Sequence, residues 1–151
     1  MDDLLSPVSD RRRLDLEHLK VLSVFHYVAV GLAGVGLLGL YGHYKLFSTM
    51  LTNPAMWQAN PGVTPPPAEV FAPLVWMYAV GAVIVAGYGA LNLLAARSLR
   101  AHRSRMFTFG VAIANCFWFP LGTALGVFTI IVLARESVRA LYETRPAAAR
   151  E

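Results

Sequence analysis

Three long stretches of the sequence, residues 21–44, 70–96 and 106–134, contain no Asp, Glu, Lys or Arg. Each exceeds the ~20 residues that a helix needs to cross a hydrocarbon layer ~30 Å thick. Only 15% of the 151 residues are charged, whereas soluble domains carry about 25%. The pattern predicts an all-α integral membrane protein and argues against a soluble enzyme, a secreted disulfide-rich fold and a disordered chain.

The predicted membrane domain, residues 21–134, is a helical bundle with two full spans and a broken third apolar segment. The spans are expected at about residues 19–47 and 71–96, and the third segment at 106–134. Short amphipathic helices are expected at both ends of the domain.

Polar segments flank and connect the predicted spans. Residues 1–20 form an N-terminal arm that fits either an amphipathic surface helix or a solvated extension of the first span. Residues 48–70 contain several prolines and predict a loop. Residues 135–145 predict an amphipathic surface helix, and residues 146–151 a disordered tail.

The third apolar segment is interrupted by a motif that includes Phe119, Pro120 and Thr123. Because proline removes a backbone donor, this segment is either one kinked span or a re-entrant hairpin of two half-length helices. A kinked span would place eight Lys and Arg residues on the side of the N-terminus and five on the other, whereas a hairpin gives twelve and one. The positive-inside rule favours the hairpin, with a cytoplasmic N-terminus.

Small residues recur at helical spacing in two of the apolar segments. Gly122 and Gly126 form a G-x-x-x-G pair, and Ala82, Ala86 and Ala90 share one helix face. Small side chains allow helix backbones to approach closely in lipid. These five residues are therefore predicted to mediate helix packing and oligomerisation.

The chemistry-bearing residues are few. His26, Asn92 and Asn115 lie within apolar segments and are the candidate buried polar residues. His26 is predicted to hydrogen-bond across helices, and Asn115 to bind either the carbonyls freed by Pro120 or a neighbouring helix. The sequence contains no recognisable nucleophile–base set, phosphate loop or metal-binding pattern, so no enzyme activity, cofactor or metal is expected. A basic cluster is expected to face lipid headgroups and comprises Arg97, Arg100, Arg103 and Arg105. Membrane lipids rather than nucleic acid are therefore the predicted partners.

The last apolar segment carries the pattern F-P-x-G-T-x-L-G-V-x-T over residues 119–129. Further matching motifs are Arg135-Glu136-Ser137-Val138, His18-Leu19-Lys20 and Ser23-Val24-Phe25-His26-Tyr27. Through these motifs, residues 15–142 resemble a family of small, largely uncharacterised bacterial multi-pass membrane proteins. The resemblance implies a bacterial cell membrane location and no known catalytic activity. Proteins similar to these can assemble as rings or bowls of helices that enclose lipid.

Together these observations predict a non-enzymatic homo-oligomer that binds or encloses membrane lipid. One alternative is a channel or transporter subunit, which would need a polar lining. The polar residues available for such a lining are His26, Tyr27, Asn115, Thr123 and Thr129. A second alternative is an accessory subunit of a larger membrane complex.

Overall fold

The computed structural model describes residues 6–58 and 71–143, with four isolated residues between these ranges, Gly62, Thr64, Pro67 and Glu69. The side chains of residues 6–9 and of Met56 are not among those described. The predicted tail, residues 146–151, lies outside the described residues. The helices are α1 (Ser6–Thr52), α2 (Pro54–Gln58), α3 (Phe71–Ala101), α4 (Arg105–Cys116), α5 (Leu121–Ala134) and α6 (Glu136–Glu143).

Two of these helices, α1 and α3, are long and apolar enough to cross a membrane. The predicted all-α membrane fold is thereby confirmed. The chain divides into two compact units, one formed by residues 1–30 and 90–151 and the other by residues 31–89. Helices α1 and α3 contribute to both units, α2 lies in the second, and α4, α5 and α6 lie in the first.

Helix α1 is continuous from Ser6 to Thr52. Of the two alternatives for the arm, its described residues 6–20 follow the extension of the first span, and no proline interrupts the chain between Pro7 and Pro54. The predicted loop begins later than expected, since residues 48–52 still belong to α1. Asn53 separates α1 from α2, and its Oδ1 accepts a hydrogen bond from the backbone N–H of Ala55 at 3.1 Å, as expected of an N-capping residue.

In the unit of residues 31–89, helices α1 and α3 approach each other through small residues. A Cβ atom placed on Gly89 would lie 3.1 Å from the Cβ of Ala33, and one on Gly36 would lie 3.6 Å from Val85 Cγ1. Glycine therefore permits close backbone packing here, as expected for helices in lipid. Helix α3 also continues beyond the predicted span and ends at Ala101.

In the other unit, α4 and α5 fold back on each other as a hairpin. At the open end, the Arg105 guanidinium donates to the Leu133 carbonyl from Nη2 at 2.7 Å and from Nε at 3.0 Å. Nearer the turn, a Cβ on Gly126 would lie only 2.7 Å from Cys116 Sγ and would collide with the carbonyl oxygen of Ala112. The structure thus adopts the hairpin rather than the kinked span.

The turn of the hairpin satisfies backbone groups within the chain. The N–H of Trp118 donates to the carbonyl of Asn115 at 2.9 Å, and the N–H of Gly122 donates to the carbonyl of Trp118 at 2.8 Å. Such internal pairing is required wherever irregular backbone lies in an apolar medium.

Helix α6 closes the apolar core of the same unit. Val138 is fully buried, and Leu141 and Tyr142 pack against the core, as the predicted amphipathic pattern requires. Arg139 and Glu143 pair on the exposed face at 2.8 Å. The buried residues of this core are Leu19, Leu22, Leu99, Val132, Leu133 and Val138.

The N-terminal part of α1 is tied to the junction of α5 and α6 by an ion pair. Arg135 Nη1 lies 3.3 Å from Asp15 Oδ1, and the Asp15 side chain is 6% exposed against 43% for Arg135. The buried carboxylate thus has a cationic partner, as buried charges require. Part of the predicted solvated arm is therefore packed against the rest of the unit.

The close contact at Gly126 predicts that Gly126→Ala destabilises the protein. The added methyl group should lower the free energy of unfolding by about 1–3 kcal/mol, because the surrounding backbone must shift. Gly110→Ala is the matched control in α4, since nothing lies within 4 Å of a Cβ at that position. The control should gain about 0.5–1 kcal/mol from its helix preference. Thermal denaturation followed by circular dichroism in detergent compares the two, and equal stabilities would contradict the packing role of Gly126.

A second prediction concerns Tyr142, whose buried hydroxyl has no hydrogen-bond partner among the described residues. Burial raises the pKa of Tyr142 to about 12, against the opposing effect of the Arg105 charge. Tyr142→Phe removes an unsatisfied group and should stabilise the protein by about 1 kcal/mol at neutral pH.

The same substitution should change the response of stability to alkaline pH. The folded state holds the Tyr142 proton to about pH 12, whereas an unfolded tyrosine releases it near pH ~10. Stability contributed by this group is complete below pH ~10 and is lost as the pH rises towards 12. The free energy of unfolding measured from pH 8 to 11.5 should therefore fall less steeply in Tyr142→Phe than in the parent protein. Parallel curves would refute this assignment.

Candidate functional site

A cluster of polar side chains lies at the centre of the unit formed by residues 1–30 and 90–151. His26 of α1, Asn92 of α3, Asn115 of α4 and Thr129 of α5 are each 0% exposed. His26 Nδ1 lies 2.7 Å from Asn92 Oδ1, and His26 Nε2 lies 3.3 Å from Thr129 Oγ1. We call these four residues the polar cluster.

The two asparagines of the polar cluster pair reciprocally. Asn92 Nδ2 donates to Asn115 Oδ1 at 3.1 Å, and Asn115 Nδ2 donates to Asn92 Oδ1 at 2.9 Å. His26 and Asn115, the candidate buried polar residues from the sequence, thus both bond to side chains of other helices. Ser23 adds a further link one turn from His26, because its hydroxyl donates to the carbonyl of Ala96 at 3.0 Å.

The hydrogen-bond geometry of the polar cluster fits a neutral imidazole at His26. A neutral histidine has one donor and one acceptor nitrogen, so Nδ1–H donates to Asn92 Oδ1 and Nε2 is left as an acceptor. The Thr129 hydroxyl has two acceptors within reach, this nitrogen and the Leu125 carbonyl at 2.7 Å, and its single proton serves one of them at a time. Each member thus finds its partners inside the chain, and the arrangement links four helices.

The polar cluster is best suited to a structural role. Catalysis by a histidine requires a substrate within hydrogen-bond reach, and all four side chains are fully buried and bonded to one another. Among the described residues, no group of three or more His, Cys, Asp and Glu side chains could hold a metal ion. The best-supported role of the polar cluster is to fix how α1, α3, α4 and α5 pack.

The residues predicted to mediate oligomerisation have two different environments. Gly122 and Gly126 are buried inside the hairpin, where Gly122 faces the carbonyl oxygen of Asn115. They serve helix packing within one chain and offer no surface to another copy. On α3, Ala82 is half-buried, whereas Ala86 and Ala90 are exposed.

The motif residues at the break lie at the tip of the hairpin. Phe119 is 84% exposed, and the peptide bond between Phe119 and Pro120 is cis. The Thr123 hydroxyl donates to the Cys116 carbonyl at 2.8 Å, which satisfies a carbonyl at the end of α4. Thr123 therefore stabilises the turn.

The predicted headgroup-facing arginines also separate into two groups. Arg97, Arg100 and Arg103 are exposed, as contact with headgroups requires. Arg105 is half-buried and donates to the Leu133 carbonyl. The expectation is therefore corrected for Arg105, whose charge fastens the end of the hairpin.

Sequence reasoning missed the role of Thr129 in the polar cluster, although its spacing carried the information. Gly122, Gly126, Thr129 and Leu133 recur at intervals of three or four residues and are all buried on α5. That period marks one helix face, so Thr129 shares the face of the two glycines. By contrast, the contact of Asp15 with Arg135 joins residues far apart in sequence, and no local pattern indicates it.

Comparison with known proteins adds no family to this description. No family model matches the chain, and no curated protein or solved structure matches it either. The resemblance to small bacterial membrane proteins therefore stays a prediction from the sequence motifs.

The hydrogen bonds of His26 predict energetic coupling that a double-mutant cycle can measure. Combining His26→Leu with Asn92→Leu should be less destabilising than the sum of the single changes, by about 0.5–2 kcal/mol. The matched control combines His26→Leu with Thr123→Val, because Thr123 bonds Cys116 instead. Unfolding in detergent should show additive effects for the control pair. Additivity in both pairs would be inconsistent with a coupled polar cluster.

Proposed function

We propose that the protein is a non-enzymatic, multi-pass membrane protein whose copies form a homo-oligomer that binds or encloses membrane lipid. The single observation that carries this proposal is the uncovered surface of α3. In its most apolar 18-residue window, only 6% is buried within the chain. A surface of that kind needs lipid or another protein surface to cover it.

The exposed alanines support helix contact between copies. Ala86 and Ala90 are exposed and lie one turn apart on α3, so they form a shallow surface to which a second helix can come close. Bulky side chains lie on the opposite face of α3, where Ile84 is 54% exposed. The alanine surface is thus better suited to protein contact and the bulky surface to acyl chains.

The hairpin tip supports association with lipid. Phe117 and Phe119 are each 84% exposed, and Leu121 is 68% exposed. These large apolar side chains project from the turn of a segment that carries no charge from 106 to 134. We place the hairpin within one leaflet as a re-entrant element, with the N-terminus of the chain on the cytoplasmic side of a bacterial cell membrane.

A channel or transporter subunit is the weaker alternative. Conduction requires polar groups that face a path, but His26, Asn115 and Thr129 are fully buried in the polar cluster. Thr123 is bonded to a backbone carbonyl. Four of the five candidate lining residues are thus bonded within the chain, and the fifth, Tyr27, is half-buried.

Native mass spectrometry of the protein extracted with its lipids tests the proposal. We expect masses at a fixed multiple of the subunit mass with lipid bound. Ala86→Trp should release monomers, because the indole blocks the alanine surface without entering the interior of the chain.

The matched control is Ile84→Trp, which places the same side chain ~200° away around α3, two residues earlier. The control should keep the oligomer, and both variants should retain the helix content of the parent protein. A lipid-free monomer that keeps its fold and stability would overturn the proposal.

A further inference from the structure

A pocket of about 260 Å³ lies in the unit of residues 1–30 and 90–151, where α1 meets the end of α3. Three leucines form its apolar part and three basic or titratable side chains its polar part. Its lining residues are Leu16, Leu19, Lys20, Leu99, Arg100 and His102. None of the six is acidic, so the pocket is chemically matched to an anionic group attached to a hydrocarbon.

The position of the pocket along the sequence sets its depth in a membrane. Lys20 immediately precedes the first charge-free stretch, residues 21–44, and Arg100 follows shortly after the second, residues 70–96. The pocket therefore lies where both apolar stretches end on the same side. This is the level of lipid headgroups, where basic side chains meet anionic lipid.

The two cations of the pocket are not held by the contacts that occupy three other basic residues. Arg105 and Arg135 are bound to a carbonyl and to Asp15, and Arg139 is paired with Glu143. Lys20 and Arg100 are exposed and take part in neither of the ion pairs found among the described residues. Their exposed charges can therefore reach a ligand in the pocket.

His102 is held in place beside these cations. It follows the last residue of α3 and has a φ of 51°, in the left-handed region. Its ring packs edge-on against Tyr142 with the ring centroids 6.0 Å apart. The wall of the pocket is therefore fixed by the same helix, α6, that closes the apolar core.

The volume distinguishes a headgroup from a whole amphiphile. At about 260 Å³, the pocket has the volume of a small group rather than of a whole two-chain lipid. This suits a phosphate ester with the first few methylene groups of a chain, and the rest of a lipid would lie along the exposed apolar surface of α1.

We propose that this pocket binds the phosphate of an anionic phospholipid headgroup, with Lys20 and Arg100 as its charged partners. Leu16, which is 38% exposed, contacts the glycerol and the adjoining methylene groups, and the buried Leu19 and Leu99 back the pocket. The assignment deepens the proposed association with lipid and rests on it, but it is independent of the proposed oligomer. The group that the pocket recognises is a phosphate ester, and the molecule that carries it is a phospholipid.

The test uses the full chain in detergent, with dioleoylphosphatidylglycerol and dioleoylphosphatidylcholine titrated separately and binding read by native mass spectrometry. The parent protein should bind phosphatidylglycerol about 10- to 30-fold more tightly than phosphatidylcholine. The double variant Lys20→Gln/Arg100→Gln should lose that preference. Both side chains are exposed, so the helix content should be unchanged.

The matched control is Arg11→Gln/Arg12→Gln, which removes the same charge from exposed arginines of α1 that do not line the pocket. This variant should keep most of the preference. Equal losses in the two double variants would show general attraction to a basic surface and would overturn the site, as would a parent protein with no preference.

Glycerol 3-phosphate distinguishes a lipid from a free phosphate ester. It should bind the parent protein at least 100-fold more weakly than phosphatidylglycerol, and Leu16→Asn should weaken binding of the lipid alone. Equal affinity for the two ligands would overturn the lipid assignment in favour of a soluble phosphate ester. The same spectra report subunit number. A monomer that prefers phosphatidylglycerol would refute only the proposed oligomer. An oligomer without that preference would refute only the pocket.

Discussion

The need to pair every polar group in an apolar medium governs this structure. His26, Asn92, Asn115 and Thr129 come from four helices, and each is fully buried. An unpaired amide in such a place would cost several kcal/mol, so the helices are held to the one arrangement in which all four side chains find partners. Apolar packing alone discriminates weakly between helix registers in lipid, because lipid tails are as apolar as leucine. The polar cluster supplies that discrimination.

Formation of the polar cluster depends in turn on the close packing of α4 and α5. Gly126 lets α5 lie against the backbone of α4 at Ala112 and Cys116. This contact keeps Asn115 and Thr129 on adjoining helices near the same level, where Asn92 and His26 reach them. The close helix packing at Gly126 and the polar cluster therefore depend on each other. A larger residue at position 126 would disturb both the packing and the cluster.

The helical fold was predictable because charge-free stretches of membrane length have few other structures available to them. The break at Pro120, the amphipathic face of α6 and the burial of His26 followed from local rules about proline and helical period. The partners of His26 did not, because they depend on which helices meet. The Asp15 pair and the Arg105 contact with Leu133 were missed for the same reason, since an exposed arginine and a packed one look alike in sequence. Gly122 and Gly126 were identified correctly as packing residues, but the spacing could not say whether the contacted helix lies in the same chain.

The hairpin also has a consequence for how the chain is made. Helices α4 and α5 contain 12 and 14 residues, too few for either to cross ~30 Å of hydrocarbon alone. Arg105 reaches its acceptor only after Leu133 has been synthesised and has left the ribosome. We therefore expect the membrane insertion machinery to receive α4 and α5 as a pair, with the hairpin completed after α1 and α3 are already in place.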